Sequence, residues 1–221
     1  MSAANIILGA TGGGNLLRLT TFTSSGTWTK QADVARILVY VVGGGAGGNG
    51  ATSTASSFAG GSGGTSSFGV HCSASGAPGG LTTSTYGIGS GGDINLRGSG
   101  SVGNTRYMAS AISNYTCGLK GGDSIFGGGG LGYPGSSSTG AGAGLPGVNG
   151  GGGGGAGYRD GVNNYHCQGG GSGGCAIKLI QATSLGSTVT VTIGAGGSAS
   201  GGAQPGGAGG AGIVVIYEYG Y

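Results

Sequence analysis

The residues of this chain best suited to bind a metal ion are its four cysteines and two histidines. They comprise two adjacent pairs and two single residues: His71-Cys72, His166-Cys167, Cys117 and Cys175. Zinc needs four donors that converge in a tetrahedron, and adjacent His-Cys lacks the C-x-x-C spacing of recognisable sites. We therefore expect no metal site and no cofactor. Because no secretion signal is evident, buried reduced thiols are favoured over a Cys167–Cys175 or Cys72–Cys117 disulfide.

Acid-base catalysis has little support in the sequence. The five acidic residues are scattered: Asp33, Asp93, Asp123, Asp160 and Glu218. A general acid needs a positioned partner, and no pairing follows from this spacing. Adjacent Cys and His on an extended chain point to opposite sides, so they cannot act as a nucleophile and its base. The sequence predicts a non-enzymatic protein without catalytic residues.

Residues 5–14 (NIILGATGGG) look like the start of a nucleotide-binding motif, in which a strand enters a glycine-rich turn. That fingerprint needs a helix after the turn and an acidic residue about 20 positions on. Residues 16–29 instead read as strand and turn. We interpret residues 1–15 as an N-terminal strand or attachment arm.

Composition excludes several classes of function. Glycine fills 64 of 221 positions, only 6% of residues are charged, and the net charge is +3. Without a Lys/Arg run, nucleic-acid binding is not indicated. The sequence contains no run of about 18 apolar residues, so it predicts no membrane span. Glycine does not occupy every third position, so the chain is not collagen.

Strand-like runs at both ends bracket the glycine-rich middle. They occupy residues 16–22, 34–42, 175–181, 188–193 and 213–219. Residues 34–42 are apolar on both faces, as in a strand buried on both sides. Residues 188–193 alternate Thr with Val or Ile, as in a half-solvated strand. The prediction is an all-β fold with essentially no α-helix: a small β-sandwich or jelly-roll-like base at 16–43 plus 175–221.

Residues 44–174 then form one long excursion from that base. Polyproline-II-type helices have three residues per turn and no internal hydrogen bonds, so their backbone groups must pair with neighbours or water. Side-chain-free backbone allows such helices to bond to one another directly. We therefore predict a polyglycine-II bundle, with four glycine-dense segments inside it: 43–48, 127–130, 150–155 and 169–174.

Several stretches together resemble the glycine-rich domain of tailed-bacteriophage tail fibre and receptor-binding proteins. They are residues 22–30 (FTSSGTWTK), 34–48, 64–69 (GTSSFG), 72–76, 188–197 (TVTVTIGAGG) and 209–216. The resemblance covers most of the chain from Phe22 onward. It departs from the commoner pattern after Trp28, where Lys30-Gln31-Ala32-Asp33 lacks the usual proline.

The resemblance implies a virion protein of the tail fibre or tail tip, assembled in the host cytoplasm, that acts as an adhesin. Its partners would be a bacterial surface receptor, either lipopolysaccharide or an outer-membrane protein, and other tail or fibre proteins. A homotrimer is one assembly it leaves open. The alternative is a purely structural tail component without receptor contact. Ice binding is disfavoured because the loops are bulky and irregular.

Receptor contact is expected on the glycine-poor interruptions, because loops on a rigid frame commonly carry recognition. These interruptions are residues 81–88, 93–97, 104–120, 131–134 and 158–168. They concentrate Tyr, Arg and Asn, which are favoured at interfaces. The candidate residues are Tyr86, Arg97, Arg106, Tyr107, Asn114, Tyr115, Tyr133, Tyr158, Arg159, Asn163, Asn164, Tyr165 and His166.

Overall fold

The structure is a computed structural model that describes residues 4–7, 14–51, 57–80, 86–101, 115–136, 142–159, 164–202 and 204–221. Within these ranges the regular elements are strands, apart from one short 3-10 helix at Ala182–Ser184. The predicted all-β class is confirmed. No helix of this described part is long and apolar enough to cross a membrane.

Strands from both ends of the chain build the first antiparallel sheet. Its six strands lie in the order β1 (Ala4–Ile7), β2 (Leu16–Phe22), β17 (Ile213–Gly220), β4 (Val34–Val42), β15 (Cys175–Gln181) and β10 (Ile94–Leu96). The C-terminal strand therefore lies between two N-terminal ones. Their pairing depends on contacts nearly 200 residues apart in sequence, such as Val214 opposite Phe22.

The second sheet has five antiparallel strands. They lie in the order β3 (Gly26–Thr29), β16 (Thr188–Thr192), β7 (Ser66–Phe68), β8 (Cys72–Ala74) and β9 (Gly89–Ser90). Strands β7 to β10 come from the range 44–174, so the base receives short strands from the glycine-rich middle as well as from the chain ends. As predicted, β16 alternates between buried valines and exposed threonines.

The main core fills the space between the two sheets. From β4 it receives Ile37, Val39 and Val41, all fully buried. From the second sheet it receives Trp28 and Phe68, whose rings meet edge to face at 5.8 Å. The two sheets therefore pack face to face as a small sandwich.

A second apolar cluster lies on the outer face of the first sheet. It contains the buried residues Val42, Cys175, Ile213 and Val215, with partly buried neighbours that include Tyr40 and Tyr217. The prediction that β4 is apolar on both faces holds, although Leu38 and Tyr40 are only half-buried.

Extended glycine-rich runs rise from the sandwich, and together they are called the array here. The runs are 43–49, 59–65, 75–80, 86–87, 98–101, 118–123, 128–133, 142–148, 151–156, 167–174, 194–201 and 204–212. Their backbone groups bond between runs, with donor–acceptor distances of 2.8–3.0 Å for the N–H groups of run 43–49. The N–H groups of run 43–49 are thus all satisfied without hydrogen bonds inside the run.

The hydrogen bonds of run 43–49 repeat every three residues. The N–H groups of successive residues bond to three neighbouring runs in turn. Run 167–174 accepts from Gly43, Ala46 and Asn49, run 59–65 accepts from Gly44 and Gly47, and run 204–212 accepts from Gly45 and Gly48. The carbonyls of run 43–49 accept from three further runs, 75–80, 151–156 and 194–201. The period of three residues equals the three residues per turn of a polyproline-II-type helix.

Runs 151–156 and 167–174 likewise bond to six neighbouring runs each. Segments 43–48, 150–155 and 169–174 therefore belong to enclosed runs of the array. Segment 127–130 does not. Among the described residues, run 128–133 bonds only to runs 118–123, 142–148 and 151–156, and Gly128 is exposed. Glycine density alone does not reveal which runs are enclosed.

Two turns of the array stop above the first sheet instead of joining it, and they are called the overhang. They comprise residues 124–127 and 148–151. Ser124 Oγ donates to the carbonyl of Asn149, and Asn149 Nδ2 donates to the carbonyl of Phe126. The Phe126 ring meets the Tyr40 ring edge to face at 5.5 Å, so the overhang covers part of the outer face.

Short antiparallel ribbons form the end of the array opposite the sandwich, called the distal end. The ribbons pair β5 (Gly50–Ala51) with β6 (Ser57–Phe58), β11 (Tyr115–Cys117) with β12 (Pro134–Ser136), and β13 (Gly157–Arg159) with β14 (Asn164–His166). Each ribbon continues two neighbouring runs of the array.

Candidate functional site

Six of the predicted contact residues lie in the distal ribbons. Tyr158 is directly opposite Tyr165 in the β13–β14 ribbon, and Arg159 is opposite Asn164. The ribbon that contains Tyr115 lies beside this one, and β5 approaches β13 as well. The backbone thus gathers Tyr115, Tyr158, Arg159, Asn164, Tyr165 and His166 at one end of the molecule.

Run geometry explains why these residues converge. Run 151–156 donates to run 118–123 at Gly152 and Gly155, and run 167–174 donates to run 151–156 at Cys167 and Gly170. The runs that carry the two ribbons are therefore direct neighbours in the array. The run ends next to the ribbons bond to one another, as in Leu119 N–H to the carbonyl of Cys167 and Tyr133 N–H to that of Gly155, so the ribbons emerge at the same height. Sequence spacing alone does not give this arrangement.

Tyr133 lies on the margin of the array just below the distal end. Its side chain is 45% exposed, while its backbone bonds to both Gly118 and Gly155. The ring packs directly on Gly142, where an added Cβ would come within 1.9 Å of the ring's Cδ1. Only a glycine at 142 therefore leaves room for the ring in this position.

Tyr86 and Arg97 form a separate pair away from the distal end. The Arg97 guanidinium lies 5.1 Å from the centre of the Tyr86 ring, and Arg97 is exposed. Ile88 is bridged to Arg97, and β10 immediately precedes it in the first sheet. This pair is therefore close to the sandwich, and the predicted set divides into two regions. Arg106, Tyr107, Asn114 and Asn163 lie outside the described residues.

Exposed apolar residues also lie near the distal set, and of these the sequence analysis included only Leu131, within the interruption 131–134. Phe58, in the distal β6 strand, is 42% exposed, and Leu131 and Leu145 on adjoining marginal runs are more than half exposed. Leu145 donates its N–H to the carbonyl of Leu131. The available signal was a bulky residue within a glycine run, since such a residue fits only where the run faces solvent.

The described thiols are buried and unbonded. Cys72, Cys167 and Cys175 are free, and burial raises the pKa of each to about 11. The expectation of buried thiols is confirmed for these three. Among the described residues, no group of three or more His, Cys, Asp and Glu side chains could hold a metal ion.

Four acidic residues have structural partners. Arg18 lowers the pKa of Asp33 through hydrogen bonds, and Lys120 lowers that of Asp123 in the same way. Asp93 accepts from the N–H of Leu179, and Glu218 accepts from Trp28 and Arg18. Asp160 lies outside the described residues.

Comparison with known proteins adds no further assignment. No protein-family model matches the chain, and no curated protein or solved structure is detectably similar to it. Inference about function therefore depends on the geometry of this molecule and on the sequence resemblance.

Proposed function

We propose that the chain is a tail fibre or tail-tip adhesin of a tailed bacteriophage, which binds a bacterial surface receptor through its distal ribbons. The observation that supports this most directly is the gathering of Tyr, Arg, Asn and His at the end farthest from the sandwich. Tyrosine supplies a large contact area at low entropic cost, and its polar tip suits a wet interface.

The array supports this proposal as a rigid stalk. Its runs are polyglycine-II helices in our interpretation, and the three-residue hydrogen-bond period favours that geometry. Ordering each glycine costs about 1–2 kcal/mol of backbone entropy, and each inter-run bond returns about 1 kcal/mol. Because these terms nearly balance, the sandwich must fix the ends of the runs.

The receptor in this proposal is lipopolysaccharide or an outer-membrane protein, and the protein's location is the virion. Other tail or fibre proteins would hold its sandwich end. A structural tail component without receptor contact is the competing function. The distinction rests on whether the distal ribbons contribute binding energy.

Binding of the fluorescently tagged chain to strains that differ in lipopolysaccharide and outer-membrane proteins tests the proposal. Tyr158→Ala and Tyr165→Ala are expected to weaken strain-selective binding by about 30-fold each, the effect of an interface hot spot of about 2 kcal/mol. Tyr86→Ala is the matched control, because that ring lies near the sandwich. It should leave binding within about two-fold, as expected outside a hot spot.

Two results would contradict the adhesin proposal. The first is a folded wild-type chain that binds no strain in the panel, which would favour the structural function. The second is an equal loss of binding for Tyr86→Ala and the distal variants. Melting temperatures of all variants should be compared with the wild type, so that lost binding is not lost folding.

A further inference from the structure

Asparagine directly precedes glycine at two positions of the chain, Asn49-Gly50 and Asn149-Gly150. Asparagine is among the thermolabile residues of proteins. A following glycine exposes its side-chain amide to attack, because no Cβ shields the next backbone nitrogen. The two pairs are chemically identical, so any difference in their reactivity must come from their place in the fold.

Asn149-Gly150 forms the tip of a turn in the overhang. Asn149 is exposed with φ 45°, and Gly150 has φ 83°. The N–H of Gly151 donates to the carbonyl of Val148 at 2.8 Å and closes the turn. Two central residues with positive φ characterise a type I′ turn, for which Asn-Gly is a favoured sequence. Among the described residues, neither central N–H donates to another backbone group.

Few contacts hold the Asn149 side of this turn. Asn149 Nδ2 donates to the carbonyl of Phe126 at 3.2 Å, and the Asn149 carbonyl accepts from Ser124 Oγ at 2.6 Å. Both partners belong to the other turn of the overhang and not to an enclosed run. Gly150 is buried, and its carbonyl accepts from Gly173 N–H. Local opening therefore frees the Asn149 side chain while the glycine stays in place.

Asn49-Gly50 is held far more tightly. Asn49 is 4% exposed, its N–H donates to the carbonyl of Gln168, and its own carbonyl accepts from Ala156 N–H. Its Oδ1 accepts from the N–H of Gly60 at 3.1 Å. Ring closure at this position would break bonds to three neighbouring runs at once.

We propose that Asn149 deamidates spontaneously in the folded protein, whereas Asn49 is protected by the array. The backbone nitrogen of Gly150 loses its proton to solvent base and attacks Cγ of Asn149, which closes a succinimide ring. The Cγ–Nδ2 bond breaks, and the amide takes up a proton and leaves as ammonia. Water then opens the ring at Cγ to give aspartate, or at the backbone carbonyl to give isoaspartate. The net reaction consumes water and releases ammonia.

The product weakens the overhang. In aspartate an ionised oxygen replaces Nδ2, the atom that donates to the carbonyl of Phe126. Two acceptors cannot form a hydrogen bond, so this link between the two turns is lost. The Phe126 ring lies on Tyr40, so the cover over the outer face is loosened as well. The distal ribbons take no part, and this chemistry does not depend on the proposed receptor function.

Peptide mapping of the full chain by mass spectrometry, during incubation at mildly alkaline pH, tests the proposal. In the native protein, conversion at Asn149 is expected to be at least ~10-fold faster than at Asn49. In urea the two rates should agree within about two-fold, because both residues precede glycine and the fold no longer separates them. Equal rates in the native protein, or an Asn149 that converts only after denaturation, would overturn the proposal.

A variant of the overhang gives a second test. Ser124→Ala removes the hydroxyl that bonds to the Asn149 carbonyl, so it should speed native conversion of Asn149 by about five-fold, the equivalent of one hydrogen bond. Ser62→Ala is the matched control, because Ser62 Oγ accepts from Gly79 N–H elsewhere in the array. This control should convert at the wild-type rate. An unchanged rate in Ser124→Ala would contradict control of the reaction by opening of the overhang.

Hydrogen exchange measures the effect of the product on the overhang. Asn149→Asp carries the side chain of the deamidated protein. It should speed exchange of the Gly151 N–H by about five-fold and leave that of Ala46 N–H, inside the array, unchanged. Wild-type protection at Gly151 would refute the weakening of the overhang.

Discussion

The indole Nε1 of Trp28 donates a 2.8 Å hydrogen bond to Oε1 of Glu218, and this bond joins the two sheets of the sandwich. Glu218 is 2% exposed, and its other oxygen accepts from Arg18 Nε at 2.8 Å. Arg18 in turn pairs with Asp33. A buried carboxylate is tolerated only when its oxygens are paired in this way.

Glu218→Gln should destabilise the chain more than loss of an exposed ion pair. The substitution keeps the volume but removes the charge that accepts from both Trp28 and Arg18. We expect the free energy of unfolding to fall by about 2–4 kcal/mol. Urea unfolding followed by circular dichroism measures it. Asp123→Asn is the control, with an expected loss below about 1 kcal/mol; equal losses would contradict the assigned role of Glu218.

An interior glycine should not tolerate even one methyl group. A Cβ at Gly153 would lie 2.0 Å from the carbonyl oxygen of Gly207, whereas a Cβ at Gly201 would have nothing within 4 Å. Gly153→Ala should lower the free energy of unfolding by at least ~3 kcal/mol, while Gly201→Ala should change it by less than about 1 kcal/mol. Thermal and urea unfolding distinguish them. Similar stabilities would refute tight packing between these runs.

Gly142→Ala should displace the Tyr133 ring. We expect a loss of about 1–3 kcal/mol in the free energy of unfolding from overpacking. Tyr133→Ala removes the clashing atoms, so the double variant should be more stable than the sum of the single effects predicts. A double-mutant cycle in urea measures this coupling. Strict additivity would show that the ring does not pack on Gly142.

The buried thiols should be unreactive in the native state and should destabilise the fold at alkaline pH. Their folded pKa of about 11 is above the value of about 8.5 in an unfolded chain. The stabilisation is therefore complete below about pH 8.5 and is lost as the pH rises towards 11. Unfolding free energies between pH 8 and 11 measure this loss.

Thiol labelling gives an independent check of burial. In a Cys117→Ser background, Ellman's reagent at pH 8 should label Cys72, Cys167 and Cys175 only after denaturant is added. Rapid labelling of the native protein would contradict their burial. Lys178→Ala is a further comparison between two thiols. The charge of Lys178 lowers the pKa of Cys72, so its removal should raise that pKa, whereas the pKa of Cys167 depends on burial alone and should not change.

The sequence predicted the elements whose pattern is local. Alternation in residues 188–193 identified a half-buried strand, and the apolar run at 34–42 identified the central strand of the base. Long glycine segments favoured a mutually bonded array, because their backbone groups have no partners within the run and must bond to neighbouring runs or to water. The expectation of buried thiols also holds for Cys72, Cys167 and Cys175.

Tertiary structure alone decided which runs are enclosed and which residues meet. Segments 127–130 and 150–155 are both glycine-dense, yet within the described part of the chain only the run of the second has six bonded neighbours. Tyr86 and Tyr158 looked equivalent as loop residues, yet one lies near the sandwich and the other at the distal end. The reason is physical: inter-run hydrogen bonds join residues far apart in sequence, such as Gly43 and Gly174, so run composition does not specify its neighbours.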